Sequence, residues 1–258
     1  MGFGDELMGS GLARGAASRG KRIAFGDGNR IIWHKNAHAI LAGNPNVAEP
    51  GSEGASDLQW VTHYPGARAY ARMVQRVWKF EPEFRAAPGE VTLSDDERRF
   101  ADMVRRGFVL IEPNVKRVAP NKQWPRERYQ AVADHLKARG HRVLQFDTGE
   151  FRLEGINYLT APTFRDAMAL IERAALYIGP EGGLHHSAAA MATQAVVIFG
   201  GFNSPELFGY AGHTSIFSGD GLGCGRQDPC KHCRHCMGMI SADQVIAAAE
   251  ERLAIGAT

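Results

Sequence analysis

The residues from Ala174 to Pro205, AALYIGPEGGLHHSAAAMATQAVVIFGGFNSP, constrain the fold more than any other stretch of the chain. They divide into a short apolar strand at Ala175–Ile178, a Gly-rich turn holding one acid, a small-residue helix over Leu184–Met191, and a β-branched strand at Ala195–Phe199 ending in Gly-Gly. Apolar strands separated by a helix argue for a parallel sheet, because parallel neighbours need a crossover and strands buried on both faces carry continuous apolar runs. Ligands of such sheets sit beyond the carboxyl ends of the strands. Glu181, Gly182, Gly183, His185, His186, Gly200 and Gly201 are therefore expected on one rim.

At 258 residues with 44% apolar content, the chain is long enough for one large α/β domain or two modest ones. Thirty basic against 28 acidic residues leave a formal charge of +2, which argues against a nucleic-acid partner. No run of 18 apolar residues exists and no signal-peptide core opens the chain, so the cytoplasm is the expected compartment. All four cysteines fall between Cys224 and Cys236, a spacing that suits a local metal site better than a spread disulfide framework.

Two units are expected, residues 1–105 and 106–258. The first opens on MGFGDELMGSGLARG, where Gly2 and Gly4 permit a tight turn, Asp5 suits a helix start, and the apolar residues are loosely periodic. No hydrophobic strand stands ahead of that turn, so a reduced N-terminal half is expected. Strands are predicted at Lys21–Phe25, Arg30–Trp33 and Leu58–Val61, and helical spacing of Tyr70, Met73, Val74 and Val77 predicts a helix over Gly66–Phe80. Ser94 and Glu97 form a capping-box pattern for a helix over Asp95–Arg106, with Phe100, Met103 and Val104 inward. The second unit alternates strand and helix from Phe108 to Phe217, and Ser241 caps a last helix.

Three features carry chemistry, each beside a plainer reading. The turn at Glu181 offers helix amides to phosphate and a carboxylate to ribose hydroxyls, or it is simply a turn. The loop after Ile111 carries Lys116, Arg117, Lys122 and Arg126, which would neutralise a diphosphate or form a solvated charge run. Cys224, Cys230, Cys233 and Cys236 suit a closed structural zinc site, with iron as the second choice and His213, His232 or His235 able to replace a cysteine. Without a metal they are free or redox-paired thiols.

These residues resemble the ADP-heptose:lipopolysaccharide heptosyltransferase-like glycosyltransferases of family nine. The family's Lys-x-Trp-Pro is matched by Lys122, Trp124 and Pro125; its Gly-Pro-Asp-Ser-Gly-x-x-His-x-Ala-Ala-Ala resembles GPEGGLHHSAAA, with the histidine at His186. Phe199, Gly200, Ser204, Pro205 and the run CMGMISADQV continue the likeness, and GFGDELM resembles the family's first turn. The resemblance implies a GT-B-like α/β fold of two Rossmann-like halves around a cleft, the N-terminal half here reduced. It also implies Asp5 as the base that activates an acceptor hydroxyl. Lys122 would stabilise the leaving diphosphate with help from Arg117, and Glu181, Gly182, Gly183 and His186 would surround the nucleotide. The family's Asp-Ser has become Glu181-Gly182, one methylene longer and one hydroxyl poorer.

The function so implied is inverting transfer of a sugar, heptose through the family, from a nucleotide-diphosphate donor, ADP-linked by the same likeness. The acceptor would be a hydroxyl-bearing glycan, lipid-linked glycan or protein, with no catalytic divalent cation expected. A sugar-nucleotide hydrolase or epimerase and a non-catalytic nucleotide-binding or interaction module are the alternatives.

Overall fold

A computed structural model describes residues 1–116 and 119–256 of the chain. The first helix, α1 (Phe3–Ala17), leads into β1 (Arg22–Gly26), α2 (Lys35–Leu41) and β2 (Leu58–Thr62). The two strands pair in parallel, with Arg22 opposite Leu58. At the start of α1 the Gly2 amide donates to Asp5 Oδ2 at 2.6 Å, so the acid closes the first helical turn. The expected strand at Arg30–Trp33 is reduced to a single bridge between Ile31 and Gly26. His34 instead caps α2 by accepting the Asn36 N–H at 3.2 Å, a short helix that periodicity did not reveal.

The expected helix over Gly66–Phe80 is a small antiparallel sheet of β3 (Ala67–Arg68), β4 (Ala71–Val74) and β5 (Val77–Phe80). Gln75 and Arg76 make the reversal with φ of 47° and 61°, the left-handed pair that a two-residue hairpin demands. Neither is the Gly or Asn that normally marks such a turn. The apolar residues fit a helical period, but the β-branched and aromatic content of Val74–Phe80 favours the pleated form. Next comes α3 (Asp95–Asp102), capped reciprocally by Ser94 and Glu97 as expected. It stops before Met103, which is 76% exposed rather than inward.

A six-stranded parallel sheet forms the rest of the core. In chain order its strands are β6 (Phe108–Ile111), β7 (Val143–Phe146), β8 (Asn157–Leu159), β9 (Ala174–Pro180), β10 (Ala195–Phe199) and β11 (His213–Phe217). Their spatial order is β8-β7-β6-β9-β10-β11. Winding therefore reverses between β6 and β9, the switch point where doubly wound sheets bind ligands. The intervening helices are α4 (Arg126–Ala138), α5 (Phe164–Ile171), α6 (Gly183–Ala190) and α7 (Pro205–Phe208), followed by α8 (Lys231–Met239) and α9 (Ala242–Ile255).

Both faces of the sheet are covered, which explains its unbroken apolar runs. Val109, Ile111, Leu176, Ile178, Val196 and Ile198 pack with Leu136 of α4 and Val245 of α9. The alternate residues, among them Leu110, Tyr177, Val197 and Phe199, join Leu7 of α1, Met168 of α5 and Phe25 of β1 in the other cluster. Trp124 is fully buried, donating its indole N–H to the Ile240 carbonyl at 3.0 Å and meeting Tyr129 edge-on. No helix among the described residues is long and apolar enough to cross a membrane.

Glu112, just past β6, is buried in this framework. Its Oε1 accepts from the Asn114 amide at 3.0 Å and side chain at 2.8 Å, while Oε2 has no partner among the described residues. Burial pushes its pKa up to about 7 despite the Asn114 bonds. The native state thus retains a proton that the unfolded chain releases, so this group's contribution to stability falls as pH rises from about 4.5 to about 7. The gap corresponds to at most about 3–4 kcal/mol. Glu112→Gln is therefore expected to exceed the wild type in stability at pH 8 by about 1–3 kcal/mol and to match it near pH 4.5. Urea unfolding at both pH values checks this; a difference independent of pH contradicts it.

Candidate functional site

The rim at the β6–β9 switch point is built around Glu181, which is 5% exposed. Its Oε2 takes the Lys122 ammonium and accepts from Asn203 Nδ2 at 2.7 Å; its Oε1 lies 2.9 Å from His186 Nε2. Burial pushes the carboxyl up, but the Lys122 charge and then His186 outweigh it and hold Glu181 well below the ordinary carboxylate range. With Glu181 ionised, His186 Nε2–H donates to it and Nδ1 accepts from the Tyr210 hydroxyl at 2.7 Å. The Lys122 ammonium also lies 5.0 Å from the centre of the Phe202 ring.

The side chain of Glu181 therefore points inward and holds Lys122 and His186, leaving no free carboxylate oxygen at the rim. The outward groups are backbone. A Cβ on Gly182 would meet nothing within 4 Å, and Gly183 opens α6. Helix amino ends favour anions, so this open edge suits a phosphate. His185 and His186, both expected on the rim, are buried. His185 meets the rings of Phe199, Tyr210 and His213, and neither of its nitrogens has a hydrogen-bond partner among the described residues. Burial, reinforced by His186 and His213, keeps its pKa far below the usual value, so the ring is neutral.

Asp5 approaches the same rim from the other side. A Cβ on the preceding Gly4 would lie 2.9 Å from His186 Cδ2 and 3.3 Å from the Gly183 backbone, so α1 and α6 meet amino end to amino end. Only glycine permits that approach. Asp5 Oδ1 accepts from the Tyr70 hydroxyl and pairs with Arg68 at 3.1 Å, and the Arg68 guanidinium stacks 4.0 Å from the Trp78 ring centre. Burial pushes Asp5 up, yet Arg68, Tyr70 and the Gly2 amide hold it below its ordinary value. Lys116 is exposed, its ammonium 2.8 Å from where a Gly2 Cβ would stand. Arg117 lies outside the described residues.

Sequence reasoning missed Arg68, Tyr70, Asn203 and Tyr210, which hold the carboxylates and His186. All but Arg68 are neutral groups, and each partner is remote in sequence, so no local pattern exposes them. The cysteine loop brings one donor atom each from Cys224, Cys230, His232 and Cys233 within 4.8 Å of one another. Cys236 Sγ stands 3.5 Å from His232 Nε2, one step beyond that group. Three of the four expected cysteines thus gather with His232, and Cys236 stands outside that group, beside His232. Three thiols with an imidazole or fourth thiol match the donors that tetrahedral zinc or iron accepts. Cys230 precedes α8, where the Cys233 amide lowers its pKa most.

Residues 68–232 match the family described as glycosyltransferase family 9 (heptosyltransferase). No curated protein sequence gives a significant match. Among solved structures, the glycosyl transferase family 9 protein from Veillonella parvula superposes with a TM-score of 0.66 at 16% identity, covering 98% of this chain and 95% of that one. The iron-containing dodecameric glycosyltransferase TibC from enterotoxigenic E. coli gives 0.65 at 18% identity, over 97% and 73%. The E. coli ADP-heptose lps heptosyltransferase II gives 0.51 at 18% identity over 66% of this chain and 55% of its own, so the present chain spans about half of that relative's length. With a match over more than half of its residues and a GT-B-like parallel α/β sheet, the chain belongs to glycosyltransferase family 9.

Proposed function

We propose that the protein transfers a sugar, with inversion, from a nucleotide-diphosphate donor to an acceptor hydroxyl. Family membership supports the reaction class, and the names of solved relatives, one of them bound to ADP-D-beta-D-heptose, support an ADP-heptose donor. The observation that carries the reading is the meeting of α1 and α6 at Gly4 and Gly183, which sets Asp5 beside the Lys122–Glu181 rim at the switch point. Residues 1–105 would form the acceptor side and 106–258 the donor side.

In this reading the diphosphate lies on the amides of Gly182 and Gly183, near His186, with Lys122 and Arg117 supplying positive charge. Glu181 acts by holding Lys122 and His186 in place. The acceptor oxygen attacks the anomeric carbon from the face opposite the diphosphate. The carbon–oxygen bond to the diphosphate breaks, and the bonding pair leaves with it, where Lys122 and the helix amides stabilise the growing charge. Asp5 takes the acceptor proton. Because Arg68 and Tyr70 keep it ionised, it is a weak base, suited to a proton that becomes acidic only as the new bond forms. The cysteines Cys224, Cys230, Cys233 and Cys236, with His232 as a further donor, would hold a structural iron or zinc; TibC is described as iron-containing.

The test is ADP release from ADP-heptose over a panel of glycan, lipid-linked and protein acceptors. Asp5→Asn is expected to lower kcat by about 10²–10⁴-fold while ADP affinity changes little. Equal transfer by the variant removes Asp5 as the base. Turnover without acceptor favours a hydrolase or epimerase, and nucleotide binding with no turnover favours a binding module. Elemental analysis of the purified chain is expected to find about one iron or zinc, reduced in Cys233→Ser; a metal-free wild type of undiminished thermal stability contradicts the metal site.

A further inference from the structure

Asn121 precedes Lys122 in the single turn Pro120–Lys122 and is 5% exposed. Its Nδ2 donates to the carbonyls of Arg226 at 2.6 Å and Asp228 at 2.8 Å, and its Oδ1 accepts the Cys230 N–H at 2.9 Å. Both donors and one acceptor site of the amide are thus spent on the cysteine loop. The same loop grips the other side of the Lys122–Glu181 pair. The Cys224 amide donates to Gly201 at 2.8 Å and the Gly225 amide to Phe202 at 3.0 Å. Phe202 faces the Lys122 ammonium and Asn203 donates to Glu181.

The loop also reaches the acceptor side. The Trp78 amide donates to the Gly225 carbonyl at 2.8 Å, and Trp78 is the ring on which Arg68 stacks beside Asp5. One loop therefore braces both carboxylate centres, and Asn121 makes the only side-chain hydrogen bonds, among the described residues, between it and the turn that carries Lys122. We propose that Asn121 is a positioning residue of the donor site, fixing the Lys122 ammonium by locking its backbone to the cysteine loop. That Lys122 serves a nucleotide rests on the proposed function; that Asn121 positions Lys122 does not.

Removing the Asn121 amide leaves the Arg226 and Asp228 carbonyls and the Cys230 N–H without that partner, and the Lys122 turn loses its tie to the cysteine loop and with it its fixed distance from Glu181. Generic destabilisation has to be separated from this. Gln145 supplies the control: it is fully buried on β7 and bonds Phe151 and Leu153, with no hydrogen bond to the cysteine loop among the described residues. The experiment compares wild type, Asn121→Ala, the milder Asn121→Ser and Gln145→Ala in the full chain. Each is scored by the acylation rate of Lys122 in the native protein, read by peptide mass spectrometry, and by ADP affinity from calorimetry.

Both Asn121 variants are expected to speed Lys122 acylation, and Asn121→Ala to weaken ADP binding about tenfold, the consequence of losing roughly 1.4 kcal/mol at the site. Gln145→Ala is expected to lower thermal stability while leaving both readouts near wild type. Lys122 acylation at the wild-type rate in the folded Asn121 variants overturns the proposal, as does an equal rise in Gln145→Ala. If the wild type itself fails to bind ADP, the functional reading falls, and the acylation comparison still decides the role of Asn121.

Discussion

The buried carboxylate of Glu181 is the constraint on which the rest of the site depends. An ionised acid out of reach of water is tolerated only when it is paired and hydrogen-bonded. Here Lys122, Asn203 and His186 supply those partners, and they come from the loop after β6, the loop after β10 and the second turn of α6. Satisfying one charge thus fixes three segments that converge on the switch point of the sheet. Tyr210 completes the chain through His186 and leaves that ring in a defined tautomer. Removing one partner from such a buried pair typically costs about 3–5 kcal/mol, so its parts stand or fall together.

That arrangement assigns different work to side chains and backbone. The polar side chains turn inward and hold one another, which leaves the extended backbone at Gly182 and the first turn of α6 as the open face. Across it stands the start of α1, brought close because Gly4 has no Cβ to strike His186. The same logic of charge balance recurs at Asp5, where Arg68 and Tyr70 offset burial. Two depressed carboxylates, Glu181 just before α6 and Asp5 in the first turn of α1, therefore flank the meeting of those two helices. The first keeps a lysine in position, and the second is left ionised and only partly enclosed.

The doubly wound sheet was legible because both its faces are buried: runs such as FVLI and AVVIF carry no polar alternation, and Thr163 and Ser204 cap two of the intervening helices. The local turn at Glu181 was legible for the same reason. The hairpin of β4 and β5 was hidden, since Gln75 and Arg76 take left-handed backbone angles without the residues that usually do so. Asp5, Lys122 and His186 could be named from motifs, but their partners could not. Tyr70 and Arg68 reach Asp5 only through tertiary folding, and nothing in their immediate neighbours records it. Cysteine spacing indicated a cluster, while the placing of His232 among the thiols depends on α8, a helix that spacing alone did not announce.

The role of the Lys122–Glu181 rim depends on where a nucleotide diphosphate binds. The most direct measurement is a crystal structure of the chain soaked with ADP. The expected result is diphosphate density on the amides of Gly182 and Gly183, within hydrogen-bonding reach of Lys122, at the junction of α1 and α6. ADP bound at another edge of the sheet, with the Lys122–Glu181 rim bare, would contradict it.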